Sequence, residues 1–202
     1  MDGTLIEMKW VDHVWGVALP GLYARENNIN LKKAQRILQE EYDKVGSENT
    51  NWYRLEYWLD KFNLKKDYRE LLSENRHRIK MYEDAKSALR KLSKKKKTII
   101  ITTNASKEFI EFELPVIKKY AEIFKIYSSV SDFRLIKKDV RFYENLCADL
   151  KKRGMIERND DVVHIGDDPE ADFAVPKGIG INAIYLDRKG KDIEEIVDDL
   201  IK

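Results

Sequence analysis

The chain has one cysteine, Cys147, and so can form no internal disulfide. It has no apolar run of transmembrane length and no signal-peptide pattern at its start, which makes the cytoplasm the expected location. It also lacks an excess of either charge. The net charge is +2, with acids and bases interleaved, so composition offers nothing to attract nucleic acid or an anionic membrane. Internal repeats and low-complexity linkers are absent as well. What remains is a globular composition, with 43% hydrophobic and 37% charged residues. A length of 202 residues suits one core domain with an insertion, or two small domains. The oligomeric state is left open.

The most informative stretch is Val162–Asp172, Val-Val-His-Ile-Gly-Asp-Asp-Pro-Glu-Ala-Asp. A short apolar run reads as a buried strand, and Gly166 ends it. Asp167, Asp168, Glu170 and Asp172 then follow on the loop into the next helix. Ligands of open α/β sheets bind at this carboxyl edge. Acids crowded at one strand tip repel each other unless a cation sits among them. Mg²⁺ suits the position, because it takes one or two carboxylates together with water and phosphate oxygens. A solvated turn with Asp168 or Asp172 capping a helix explains the same residues without a ligand.

Residues from about Trp10 to Met81 show helical spacing, with Ala34, Ile37, Leu38, Tyr42 and Val45 on one face and Trp52, Leu55, Leu59 and Phe62 on another. All four tryptophans lie in this segment. Trp52 is expected in its packing, while Tyr57 and Trp58 fall off the stripe and are free to face a ligand or the other domain. After Asp84 helices alternate with strands, at Thr98–Thr103, Phe124–Val130, Val162–Ile165 and Ile181–Leu186. That alternation predicts parallel right-handed crossovers and a three-layer α/β/α sandwich.

Polar motifs follow the apolar runs in a fixed order: Thr103-Asn104, then Lys137 in Ile-Lys-Lys-Asp, then Gly166-Asp167 through Asp172. Asp2-Gly-Thr precedes them without an apolar run of its own. This ordered set resembles the haloacid dehalogenase-like (HAD) hydrolase superfamily over the whole chain. The resemblance implies a Rossmann-like core with a parallel sheet, formed by residues 1–9 and 82–202, and an inserted all-helical cap at residues 10–81. It further implies a Mg²⁺-dependent phosphatase for a small phosphorylated metabolite. Asp2 would be the general acid/base, with its backbone carbonyl facing the metal. Thr103, Asn104 and Lys137 would hold the phosphate, and Thr103 and Lys137 would also serve the chemistry. Asp167 would be a metal ligand, and Asp172 a ligand or the support of one. Lys137 lies six residues before Tyr143, the place of a family aromatic. Lys138 stands where the family usually has proline, and it remains the alternative motif lysine. The family's nucleophilic Asp would fall immediately before Met1, together with its central strand. A start assigned too late is the expected reason. Two other readings compete: a catalytically inactive phosphate-binding protein of the same fold, and a haloacid dehalogenase, which needs no metal and so makes no use of Asp167 and Asp172.

Overall fold

The computed structural model describes residues 1–190 and 192–202. An N-terminal turn comes first. The Met1 carbonyl accepts the amides of Leu5 (2.7 Å) and Ile6 (3.1 Å), and Ile6 bridges to Met81. Gly3 has φ +76°, and a Cβ there would lie 2.1 Å from Asp167 Oδ2, so only glycine lets the turn pass beneath that carboxylate. Arg188 clamps the turn from across the chain. Its guanidinium donates to the carbonyls of Gly3 (3.2 Å) and Thr4 and to Asp84 Oδ2 (2.5 Å), and it lies 3.9 Å from the Tyr82 ring centroid.

The segment from 9 to 78 contains helices and no strand among the described residues: α1 Lys9–His13, α2 Leu19–Glu26, α3 Leu31–Val45, α4 Leu55–Lys61 and α5 Tyr68–Asn75. Residues Val14–Ala18 link α1 to α2 through a π-helical turn. Asn30 caps α3 through Lys33 N, and Asp67 caps α5 through Arg69 N. The apolar stripes of these helices meet in one buried cluster that includes Trp10, Leu38, Leu55, Trp58 and Leu72, with Phe109 of the following unit. This is the helical cap.

The core alternates as predicted: α6 Glu83–Lys94, β1 Ile100–Thr103, α7 Lys107–Ile117, β2 Lys125–Ser128, α8 Val140–Lys152, β3 Val163–Gly166, α9 Val175–Gly178, β4 Asn182–Tyr185 and α10 Ile193–Leu200. Strand alternation sorts the side chains into two layers. Ile101, Ile126, Ile165 and Ile184 pack with α6, α7 and α10, whereas Ile100 and Tyr127 pack with α8 and α9. These layers make the Rossmann-like α/β/α core. Strands β2 and Phe124–Val130 differ at the C-terminal end, where Ser129–Phe133 turns helical because Ser128 Oγ accepts Ser131 N (3.0 Å) and Asp132 accepts Ser128 N (2.9 Å).

The sheet is in two halves. β1 pairs with β2 in parallel, from Ile100↔Lys125 to Thr103↔Ser128, and β3 pairs with β4 in parallel, from Val163↔Asn182 to Gly166↔Tyr185. Among the described residues no ladder joins β1 to β3. Met1, 7% exposed, belongs to the same buried cluster as Ile101, with Ile165 packed against it. Among the described residues, no helix is long and apolar enough to cross a membrane.

Candidate functional site

The carboxyl ends of β1 and β3 and the N-terminal turn face one cavity of about 530 Å³, roofed by the cap. Asp2, Thr103, Asn104, Lys137, Asp167 and Asp172 all line it. The fold therefore brings these six residues together from four separate stretches of chain.

Lys137 is 5% exposed and ion-pairs with Asp172, itself 4% exposed. Lys138 is exposed instead and pairs with Glu170 at 3.0 Å on the rim. His164 Nε2 lies 2.9 Å from the same Asp172 oxygen, and the Tyr143 hydroxyl donates to the Ala171 carbonyl at 2.6 Å. Burial alone would push the Asp172 carboxyl up, but the Lys137 ammonium and the His164 bond hold it well below the usual carboxylate range. Burial pushes His164 down, so it stays neutral and donates from Nε2. Gly166 makes room for this arrangement, since a Cβ there would sit 2.3 Å from Asp172 Cγ.

Asn104 Oδ1 accepts Lys137 N (2.8 Å) and Ser129 Oγ (2.7 Å), which ties the lysine loop to the end of β1. Thr103 Oγ1 accepts Ala105 N at 3.0 Å, leaving its own proton free to donate into the cavity. Thr4 Oγ1 donates to Asp167 Oδ1 at 2.5 Å. Asp168 caps the next helical turn by accepting Glu170 N (2.9 Å) and Ala171 N (2.8 Å). That is the role the ligand-free explanation of the cluster assigned to it.

Asp2 Oδ1 is buried without a protein donor, and so is Glu113 Oε2 on α7. Burial raises both carboxyls, Glu113 well above its ordinary value, and the two side chains are within hydrogen-bonding reach of each other. Glu113 Oε1 accepts the Trp10 indole N–H at 2.7 Å. The sign for stability follows from this raised value. The folded state binds the extra proton, so stability falls as pH rises from about 4.5 toward the folded value of Glu113. Glu113→Gln keeps an acceptor for Trp10 and gives Asp2 a permanent donor. It should flatten this pH dependence and raise stability at pH 8 by about 1–3 kcal/mol, read by urea unfolding at pH 5 and pH 8.

The donor set fits Mg²⁺. The cavity wall carries Asp2, Asp12, Asp167, Asp168 and Asp172 against the Lys137 ammonium, whose charge Asp172 already balances, and the α-ammonium of Met1. Among the described residues no three acidic, histidine or cysteine side chains form a ready-made cage. Mg²⁺ requires none, because one or two carboxylates with water and phosphate oxygens complete its shell.

The sequence pattern of the haloacid dehalogenase-like hydrolases matches residues 1–180. The chain belongs to this family. Within the HAD family it is similar to GMP/IMP nucleotidase YrfG of Escherichia coli (strain K12), with 29% identity over 105 residues, 52% of this chain and 46% of that protein. The chain thus spans about half the length of that relative. Among solved structures it resembles a HAD phosphatase from Thermococcus onnurineus, with a TM-score of 0.76 and 20% identity over 95% of this chain and 85% of that one. It also resembles a hydrolase from Pseudomonas syringae, with a TM-score of 0.52 and 21% identity over 97% and 87%. At such identities the structures speak for the HAD fold alone.

Some site residues escape sequence reasoning. Glu113 had a readable signal, since it falls four residues after Phe109 and four before Ile117, an acid on an otherwise apolar face. Arg188 had none. The tryptophan expectation is reversed. Trp58 is fully buried, stacks on Phe62 at 5.6 Å and donates to the Trp52 carbonyl at 3.2 Å, whereas Trp52 lines the cavity.

Proposed function

We propose that this HAD-family chain forms the body of a Mg²⁺-dependent phosphatase for a small phosphorylated metabolite, working through an aspartyl-phosphate. The observation that supports this most is the meeting of Lys137, Thr103, Asn104 and Asp167 around one cavity. Phosphoryl transfer from a dianion to a carboxylate sets two anions in contact, so the site must supply positive charge and directed donors. Mg²⁺, held by Asp167 and the Asp2 carbonyl, would supply charge at the phosphoryl oxygens. Lys137 provides a second charge on a compact ammonium, and Asp172 and His164 fix its position. Thr103 donates its hydroxyl to a phosphate oxygen, and the Asn104 side chain holds the Lys137 loop in place.

Asp2 is suited to proton transfer. Burial raises its carboxyl, which favours giving a proton to a leaving alkoxide and later taking one from water. Three other cavity carboxylates have different tasks: Asp167 takes the Thr4 hydroxyl, Asp168 caps a helical turn, and Asp172 balances Lys137. By the family resemblance, the attacking carboxylate would be carried on a strand between β1 and β3.

Asp167→Ala should abolish Mg²⁺ binding in titration calorimetry, while Asp168→Asn should weaken it much less. Unchanged binding in Asp167→Ala would return the acidic cluster to a solvated turn. Expression in the cytoplasm and action on a free small molecule both fit this reading, which involves no nucleic acid and no membrane.

A further inference from the structure

The turn that carries Asp2 is held from the opposite end of the chain, and the hold reaches the tip of β3. Arg188 follows β4 on a loop that the sheet keeps in register, because Leu186 N donates to the Gly166 carbonyl at 2.8 Å. From there the guanidinium spans to the turn. It donates to the carbonyls of Gly3 (3.2 Å) and Thr4, the two residues after Asp2. Two further groups fix its position. Asp84 of α6 pairs with it at 2.5 Å and also accepts Ile193 N at 2.9 Å, and the Tyr82 ring centroid lies 3.9 Å from the guanidinium carbon. A planar fork suits this task, since it serves several acceptors at once and stacks on a ring. The turn passes the hold on to Asp167. Thr4, 5% exposed, donates its hydroxyl to Asp167 Oδ1 at 2.5 Å, and the Gly3 backbone lies so close to Oδ2 that a Cβ would strike it.

We infer that Arg188 is a positioning residue for the metal end of the cavity: it sets the Asp2-Gly3-Thr4 turn against the tip of β3 and so aims Asp167 and the Asp2 carbonyl. This inference rests on the phosphatase reading above, which gives those two groups to Mg²⁺, and deepens it. Arg188 lies outside the cavity wall, so it acts through Gly3 and Thr4 and touches no ligand itself. Without its donors the two carbonyls lose a charged partner, and Thr4 loses the fixed place from which it reaches Asp167. Groups that orient a metal ligand in this way are typically worth about 10–100-fold in metal affinity.

Titration calorimetry with Mg²⁺ alone, on the 202-residue chain and its variants, reads this role, and urea unfolding reads stability in parallel. Arg188→Met keeps an apolar stem over Tyr82 and removes every donor. It should weaken Mg²⁺ binding about tenfold. Lys91→Ala is the comparison. Lys91 ties α6 to α10 through Glu194 and Asp198, each at 2.7 Å, so its loss should lower the unfolding midpoint and leave Mg²⁺ affinity unchanged. Arg188→Lys serves if Arg188→Met does not fold. It keeps the charge and loses the fork, and it should also weaken Mg²⁺ binding, by less. Wild-type affinity in the folded Arg188 variant, or an equal loss in Lys91→Ala, overturns this inference and leaves the phosphatase reading standing. If the unaltered chain binds no Mg²⁺, the metal-dependent reading falls with it.

Discussion

On the phosphatase reading, joining an apolar strand of about five residues that ends in Asp ahead of Met1 should raise turnover of p-nitrophenyl phosphate with Mg²⁺ by about 10⁴-fold or more. The argument starts from the divided sheet. β1 and β3 each keep one edge without a ladder, and the carboxyl ends of both point to the same cavity. Strands in a sheet are about 4.8 Å apart, so one added strand needs a slot of about 10 Å. Such a strand would bond to both edges and bring its last residue beside Asp2 and Asp167. It should also stabilise the fold, since each ladder bond contributes about 0.5–1.5 kcal/mol. The same extension ending in Asn isolates the chemistry, because it should recover the stability and none of the turnover. Comparable Mg²⁺-dependent turnover by the 202-residue chain itself would mean that Asp2 or another residue attacks phosphorus. Restored stability without turnover in the Asp-ended form would favour a phosphate-binding protein of this fold.

Lys137→Met should destabilise the protein by about 3–5 kcal/mol at pH 7, because it strands a buried carboxylate. Asp172 is 4% exposed, and its folded value lies below the ordinary one. A carboxyl of this kind contributes stability above its unfolded value, about 3.9, and loses it as pH falls toward the folded value. The wild type should therefore weaken on acidification below about pH 4. Lys137→Met should do the opposite and gain stability as Asp172 takes up a proton. The double change Lys137→Met with Asp172→Leu should recover much of the loss at pH 7. Urea unfolding at pH 7 and pH 3 reads all three chains. If Lys137→Met follows the wild-type trend with pH, the pair is not the source of the depression.

Much of this was legible in the sequence, for reasons that differ from residue to residue. The β-branched run Thr98–Thr103 and the stripe Ala34–Val45 carry their periods openly, and both formed the predicted elements. Asp167, Lys137 and Thr103 were readable because each follows an apolar run, and parallel strands deliver such positions to one edge. Trp52 and Trp58 were assigned the wrong way round, because helical spacing fixes a face and does not say whether that face meets the cap core or the cavity. Glu113 and Arg188 act across more than a hundred residues of chain, on Trp10 and Thr4 respectively. Local pattern holds no trace of a partner at that distance. The sheet itself is split, with β1 and β3 keeping separate partners.

The open edges also bear on how copies of the chain behave toward one another. Thr98–Thr103 is an uncharged, β-branched segment whose last three residues are buried, and an unpaired edge of that composition, once uncovered, is a template for another strand. Immediately before it stand four exposed lysines, Lys94–Lys97. They act as a gatekeeper, since two such edges can approach only by bringing eight ammonium groups together, twice the four of one chain. That protection is electrostatic and so depends on ionic strength. It weakens as the screening length shrinks from about 10 Å at 0.1 M salt to about 3 Å at 1 M. Wherever that edge is uncovered, salt should therefore set how readily two copies pair through it.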